Sequence, residues 1–219
     1  MEPEIPPFII KDCAVVSLWT GRTARTLKEL AKELKHIDES SIYHHVLGIY
    51  MRTPFVDPNS FATWARHLLH DPLLAERLAM INPSEFNSLE ELRQEILEIV
   101  EERLKNMDTP DSQVAQRPFY FQSSQMVVFD TGNEIRHPVE LNSVISSMSL
   151  GSIFYHFIDA LLRNKNGEDD FRIWLKEFGN KYKGLIEKLE VIDPHLLSLA
   201  NTRRDIAFAV QQFFEQGKP

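Results

Sequence analysis

The sequence of 219 residues contains a single cysteine, Cys13. One cysteine excludes a disulfide bond within the chain, a four-cysteine zinc site and a Cys-x-x-Cys redox pair. Basic residues are also few, since 24 Lys and Arg stand against 32 Asp and Glu, which gives a formal net charge of −8. This acid excess argues against nucleic acid as a partner, because neutralising phosphates requires clustered basic side chains.

Long apolar runs and the common cofactor motifs are missing as well. No run approaches the roughly 18 apolar residues of a membrane-spanning helix, and the acidic, proline-containing start MEPEIPPF is unlike a signal peptide. The sequence has no Gly-x-Gly-x-x-Gly motif, no P-loop and no Gly-x-Ser-x-Gly motif. We therefore expect a soluble cytoplasmic protein with no cofactor and no membrane partner.

The most informative feature that is present is an internal repeat. Residues 8–52 align without a gap to residues 119–163, and eleven aligned pairs are identical. Random pairing at ordinary composition would give roughly three. After a slip of one residue, Phe61 and Trp64 align with Phe171 and Trp174. The pattern indicates an internal duplication.

The repeat predicts the domain organisation. We expect a first repeat domain at residues 8–105, a polar, proline-bracketed linker at 106–118 and a second repeat domain at 119–216. Each domain is long enough to fold alone. Residues 1–110 hold 12 basic and 18 acidic residues, and residues 111–219 hold 12 and 14. The acid excess therefore belongs mainly to the first half, whose Glu-rich fourth helix is a solvated face or a docking surface for a basic partner.

Each repeat reads as mainly helical. Thr26 and Ser88, each followed three residues later by glutamate, are typical N-caps before apolar residues at helical spacing. Pro72 is expected to kink or restart the third helix. The predicted fold class is mostly α, with two tandem homologous four-helix-type domains and short extended segments at the start of each.

Polar residues shared by both halves are the candidate site. One set lies on a stripe of the second helix, where the spacing i, i+4, i+11 places residues on one face. The other is a Thr-Gly pair with an arginine, which could bind an anion through backbone N–H groups and guanidinium. In the first half these residues are Thr20, Gly21, Arg25, Ser41, His45 and Arg52, and in the second half they are Thr131, Gly132, Arg136, Ser152, His156 and Arg163. The alternative is a polar network that serves only the architecture.

Histidine pairs raise a metal-dependent phosphohydrolase as another function. His67, His70 and Asp71 form a His-x-x-His-Asp sequence similar to part of the metal set of all-helical phosphohydrolases, and His44 precedes His45. Pro72 follows directly, however, and places the set at a helix end. The alternative interpretation is a solvated helix terminus without a metal ion. Cys13 is replaced by Ser124 in the second half, which indicates a small buried residue and not a nucleophile.

The pattern Thr-Gly-x-x-x-Arg, Ser-Ile-[Tyr/Phe]-x-His, Phe-x-x-Trp and Ile-x-Pro occurs in both halves, and it follows Phe8-x-Ile10 in the first half and Phe119-x-Phe121 in the second. It resembles an uncharacterised tandem-repeat domain family of archaea and bacteria, domain of unknown function family 5752. The resemblance implies a repeat unit, no assigned reaction, and an association with carbohydrate-active enzymes such as glycosyltransferases. We expect a non-catalytic binding or regulatory module for a protein partner or a small anionic, sugar-like ligand. A purely structural dimerisation module, a homodimer, is the third reading.

Overall fold

The computed structural model describes residues 5–51, 58–109, 112–194 and 197–216. The chain divides into two compact units. The central unit is Val15–Met126, and the terminal unit combines Met1–Ala14 with Val127–Pro219. Two strands of 17 residues, β1 (Phe8–Ala24) and β2 (Phe119–Ile135), form a two-stranded sheet. Each unit thus contains one part of β1 and one part of β2.

The described part of the central unit contains five helices. They are α1 (Leu27–Leu34), α2 (Glu39–Val46), α3 (Ser60–His67), α4 (Pro72–Ala79) and α5 (Leu89–Lys105), with 3-10 turns at Gly48–Met51 and Pro83–Glu85. The predicted caps are confirmed, because the hydroxyls of Thr26 and Ser88 accept hydrogen bonds from backbone N–H groups three residues ahead. Pro72 opens α4, where its missing N–H removes no helical hydrogen bond.

The terminal unit has shorter and more irregular helices. They are α6 (Leu141–Val144), α7 (Leu150–Ile153), a π-helical segment (Phe154–Asp159), α8 (Ala160–Arg163), α9 (Asp170–Lys176), α10 (Lys183–Glu190) and α11 (Leu199–Gln216), with 3-10 turns at Pro138–Glu140, Ile145–Ser147 and Gly179–Tyr182. Across the described ranges, no helix combines the length and apolar composition that crossing a membrane requires.

Threonine hydroxyls show how the strands are paired within each unit. In the central unit, Thr20 donates to the carbonyl of Phe121 at 2.6 Å, and in the terminal unit, Thr131 donates to the carbonyl of Ile10 at 2.6 Å. The residue number rises along one strand as it falls along the other, so the strands are antiparallel. Gly21 and Gly132 follow the threonines with φ of 80° and 73°. A left-handed glycine within a strand is typical of a bulge.

Aromatic residues at the strand ends join the helical cores. In the central unit, Phe119 and Phe121 are buried against the helices, and the predicted core aromatics Phe61 and Trp64 are confirmed as buried. In the terminal unit, the corresponding core position of β1 is Phe8, which is also buried. The far ends of the strands, Ala24 and Ile135, are buried as well, while residues 16–23 between the ends of β1 are exposed on both faces.

The predicted fold class, mostly α with two tandem four-helix domains, is wrong: helices combine with a two-stranded antiparallel sheet in an α/β structure. The segments expected to be short are long strands. Their exposed stretches are covered on neither face, so the alternation of apolar and polar residues that indicates a strand is absent there. The units also differ from the predicted segments 8–105 and 119–216, because residues 8–14 lie in the terminal unit and residues 119–126 in the central unit.

Candidate functional site

His45 holds a strand of the central unit against helix α2. Its imidazole is buried, and Nε2 accepts a hydrogen bond from the backbone N–H of Gln122 at 3.0 Å. One helical turn earlier, the hydroxyl of Ser41 donates to the carbonyl of Gln122 at 2.7 Å. The i, i+4 spacing predicted from the sequence thus brings two side chains to one residue of β2, and both backbone polar groups of that residue are bound.

His156 makes the same contact in the terminal unit. Its Nε2 accepts the backbone N–H of Lys11 at 2.9 Å, while Nδ1 lies 2.8 Å from a carboxylate oxygen of Asp170. A backbone N–H can only donate, so Nε2 carries the lone pair and Nδ1 carries the proton that Asp170 accepts. Both ring nitrogens are therefore engaged, which leaves neither available to move a proton to or from a substrate.

Asp170 is the centre of a polar cluster in the terminal unit. Besides His156, it accepts from Arg163 at 2.9 Å and from Asn164 at 3.0 Å. Burial alone would raise the pKa of Asp170, but these three hydrogen bonds outweigh burial and hold the pKa below its ordinary value of 3.8. Arg163 also binds Asp159 at 3.1 Å. The carboxylates of Asp159 and Asp170 are thus paired with the guanidinium of Arg163 inside the cluster.

An anion site at the Thr-Gly and arginine sets stays a prediction, and the described residues of these sets have other surroundings. The threonine hydroxyls donate to strand carbonyls, as described above. Arg25 is exposed, and Arg136 pairs with the neighbouring Glu134. Ser152 accepts from the hydroxyl of Ser149 at 3.0 Å. Arg52 lies outside the described residues.

A cavity of about 470 Å³ opens beside His45 in the central unit. Its volume lies in the range of small-molecule sites. The described lining is aromatic, aliphatic, hydroxyl and amide in character, and it comprises His45, Ile49, Ser60, Thr63, Trp64, Leu68, Pro118, Phe119, Tyr120 and Gln122. None of these described residues is Lys, Arg, Asp or Glu, and the hydrogen bond from Gln122 keeps Nε2 of the one histidine unprotonated.

The walls of this cavity are fixed by hydrogen bonds and ring contacts. The indole N–H of Trp64 donates to the carbonyl of Arg117 at 3.1 Å, beside the start of β2. The ring of Phe119 lies 4.6 Å from that of His45 and stacks on Phe61 at 4.9 Å, centroid to centroid. Such contacts hold side chains in one rotamer, so the cavity is preformed.

Sequence reasoning found His45 but missed the rest of the lining. A signal was available in the alignment of the third helices, where Phe61 and Trp64 match their counterparts. Around these two positions the aligned segments differ, since Ser60, Thr63 and Leu68 align with larger residues. Their counterparts in the terminal unit are Asp170, Ile173 and Phe178. Phe178 packs edge-on against Trp174 at 5.2 Å, so the aligned position carries a ring where the central unit has leucine.

The three residues predicted as alternative metal ligands, His67, His70 and Asp71, do not face one another as ligands of one ion in the described structure. His67 and His70 are exposed. Asp71 caps α4 by accepting from the N–H of Leu74 at 3.0 Å, and it pairs with Arg103 at 2.7 Å. Within the described part of the chain, no group of three or more His, Cys, Asp or Glu is arranged to hold a metal ion.

Cys13 is a buried residue of the terminal unit. Its thiol donates to the carbonyl of Gly151 at 3.3 Å. Burial, reinforced by the nearby carboxylates of Asp12 and Asp159, raises the pKa of the thiol to about 12. A thiol in this state is a poor nucleophile, which agrees with the interpretation of Cys13 as a small buried residue.

Two of three comparisons with known proteins found a match. A solved structure, OrfY from Thermoproteus tenax, is 29% identical with a TM-score of 0.80, over 94% of this chain and 95% of that one. A search among curated proteins found no match. The family model described as a family of unknown function, DUF5752, matches residues 5–211. The chain therefore belongs to the DUF5752 family of unknown function.

Proposed function

We propose that the protein is a non-catalytic binding module that takes a small, uncharged, sugar-like ligand in the cavity beside His45. The observation that supports it is a preformed cavity of about 470 Å³ whose described lining combines aromatic rings with hydroxyl and amide groups. Rings such as Tyr120, about half exposed at 53%, offer an apolar face to a sugar ring. Ser60, Thr63 and Gln122 offer groups that pair with ligand hydroxyls.

The chemistry of the lining favours a neutral ligand over the anion expected from the sequence. A phosphate or carboxylate would enter a cavity whose described lining supplies no basic side chain, and burying an unpaired charge is costly. A neutral sugar also suits the partnership with a carbohydrate-active enzyme inferred from the family resemblance. The histidines contribute by holding the strands, which is why no reaction is proposed.

Binding is tested by titrating the ¹⁵N-labelled protein with glucose, mannose and N-acetylglucosamine, and in parallel with glucose 6-phosphate. The indole N–H of Trp64 and the side-chain amide of Gln122 report on the cavity. We expect saturable shifts of both signals with a neutral sugar. Tighter binding of glucose 6-phosphate, or no shift with any of the neutral sugars, would overturn the proposal.

Variants that copy the aligned residues of the terminal unit make the test specific. Thr63→Ile and Leu68→Phe introduce the terminal unit's residues into the cavity and should abolish the shifts. Gln122→Ala should weaken binding while leaving the backbone contacts with His45 intact. The matched control is Phe178→Leu, which places the central unit's residue in the terminal unit and should leave the affinity unchanged.

A further inference from the structure

The terminal unit contains a second cavity, of about 810 Å³, at the surface where α10 and α11 meet. We refer to it as the aromatic groove. Its described lining consists of His137, Val139, Lys181, Tyr182, Gly184, Lys188, Phe213 and Phe214. None of these described residues also lines the cavity beside His45. From the chemistry of this groove we propose that it binds an organic anion with a long apolar body, of the fatty-acid class.

The floor of the groove is aromatic. Phe213 lies 6.1 Å from Tyr182 and 5.2 Å from Phe214, centroid to centroid. Tyr182 is buried, whereas both phenylalanines are only partly covered. Gly184, on α10, lies beside this floor, since a Cβ placed there would lie 3.5 Å from the ring of Phe213. An apolar chain laid in the groove would remove partly exposed rings from water, at about 25 cal/mol per Å².

The charged side chains in the described lining are the two lysines, Lys181 and Lys188. Lys181 lies over the ring of Tyr182, with its ammonium 5.4 Å from the ring centroid. Lys188 also lines the groove, and its ammonium lies 3.4 Å from the amide oxygen of Gln212 on α11. The described lining includes no aspartate or glutamate. Two ammonium groups beside an apolar floor complement a carboxylate at the end of an apolar body.

The chemistry selects against the other amphiphiles of the same length. A neutral alcohol would gain the apolar contact without the attraction of the lysines. A cationic amine would meet like charge. The order of affinity expected for a twelve-carbon chain is therefore dodecanoate first, dodecanol next and dodecylammonium last.

The test is a displacement titration on the full-length protein with a fluorescent dansyl-labelled undecanoic acid. We expect one saturable site, from which dodecanoate displaces the probe about tenfold more effectively than dodecanol. The double variant Lys181→Glu/Lys188→Glu should weaken dodecanoate by about tenfold or more. Lys183→Glu is the matched control, because Lys183 lies on α10 outside the lining and 3.8 Å from Glu187. It should change the affinity less than twofold.

A second variant separates the groove from general surface binding. Gly184→Phe places a ring over Phe213 at an exposed helical position, where glycine is the poorer helix former. It should abolish displacement while circular dichroism stays unchanged. Thr63→Ile, in the other cavity, should leave dodecanoate binding as it was. Equal displacement by all three amphiphiles, no displacement, or full binding by Gly184→Phe would overturn the proposal.

Discussion

The Nε2 atom of His156 accepts the backbone N–H of Lys11 at 2.9 Å. The two residues are 145 positions apart in the chain, yet they lie in one compact unit. In the central unit, His45 accepts from Gln122 in the same way at 3.0 Å. Each histidine ties a strand to the helix that carries it, and the strand segment comes from the other predicted repeat.

Replacement of His156 by alanine should destabilise the protein by about 2–4 kcal/mol. The change leaves the N–H of Lys11 without its acceptor and Asp170 without one donor, and it removes the ring that packs 4.7 Å from Phe8. Urea unfolding measures the loss. Exposed His36→Ala is the control and should stay within about 0.5 kcal/mol of the wild type. Equal stabilities for both variants would show that the strand is held without the histidine.

How far the sequence predicts this arrangement depends on whether a feature is local. The caps at Thr26 and Ser88 and the buried pair Phe61 and Trp64 follow from spacing along one helix, and all are present. The partner of His45 could not be found in this way. Periodicity tells which face of a strand is buried, but not which helices bury it. Residues 8–14 therefore read as part of the first domain.

The candidate site shows the same division. A buried histidine on the second helix could be predicted, since His45 lies among apolar residues at helical spacing. Its hydrogen-bond acceptor role could not, because the donor is a backbone N–H and any residue at position 122 supplies one. The cavity depends on the sizes of Thr63 and Leu68 relative to the space around them, and size matters only once the packing is known. The internal duplication itself stays a prediction.

Acid should lower the free energy of unfolding, because it protonates the carboxylate of Asp170. Its pKa lies below the ordinary 3.8 in the folded protein, so its contribution to stability is present above about pH 4 and is lost as the pH falls through the folded pKa. Asp170→Asn should cost about 1–3 kcal/mol at pH 7. The gap between variant and wild type should narrow toward pH 3 in denaturant unfolding. A gap that stays constant across this range would contradict the assignment, and exposed Asp108→Asn serves as the control.

Replacing the left-handed glycine of β1 should lower the stability of the protein, whereas the same replacement at a helical glycine should raise it. Gly21 has φ of 80°, and no atom of the described residues lies within 4 Å of a Cβ placed there. Gly21→Ala should therefore destabilise by roughly 1 kcal/mol through backbone strain and not through a clash. Gly184 lies in helix α10, and the Cβ of an alanine there would contact the ring of Phe213 at van der Waals distance. Gly184→Ala should stabilise by about 0.5–1 kcal/mol. Thermal unfolding of the two variants should shift in opposite directions.

Cys13 reports on how tightly residues 8–14 are held. Because its thiol is 5% exposed and its pKa is raised to about 12, the native protein should react slowly with Ellman's reagent at pH 8 and rapidly in guanidinium chloride. Reaction of the native protein then requires opening of the strand, so its rate measures the free energy of that opening. His156→Ala removes the hydrogen bond at Lys11, two residues away, and should speed the native reaction by at least about tenfold. His45→Ala acts on the central unit and should leave the rate of Cys13 nearly unchanged. If both variants accelerated it equally, the two strand contacts would open together, and the conclusion that each histidine holds its own strand segment would be wrong.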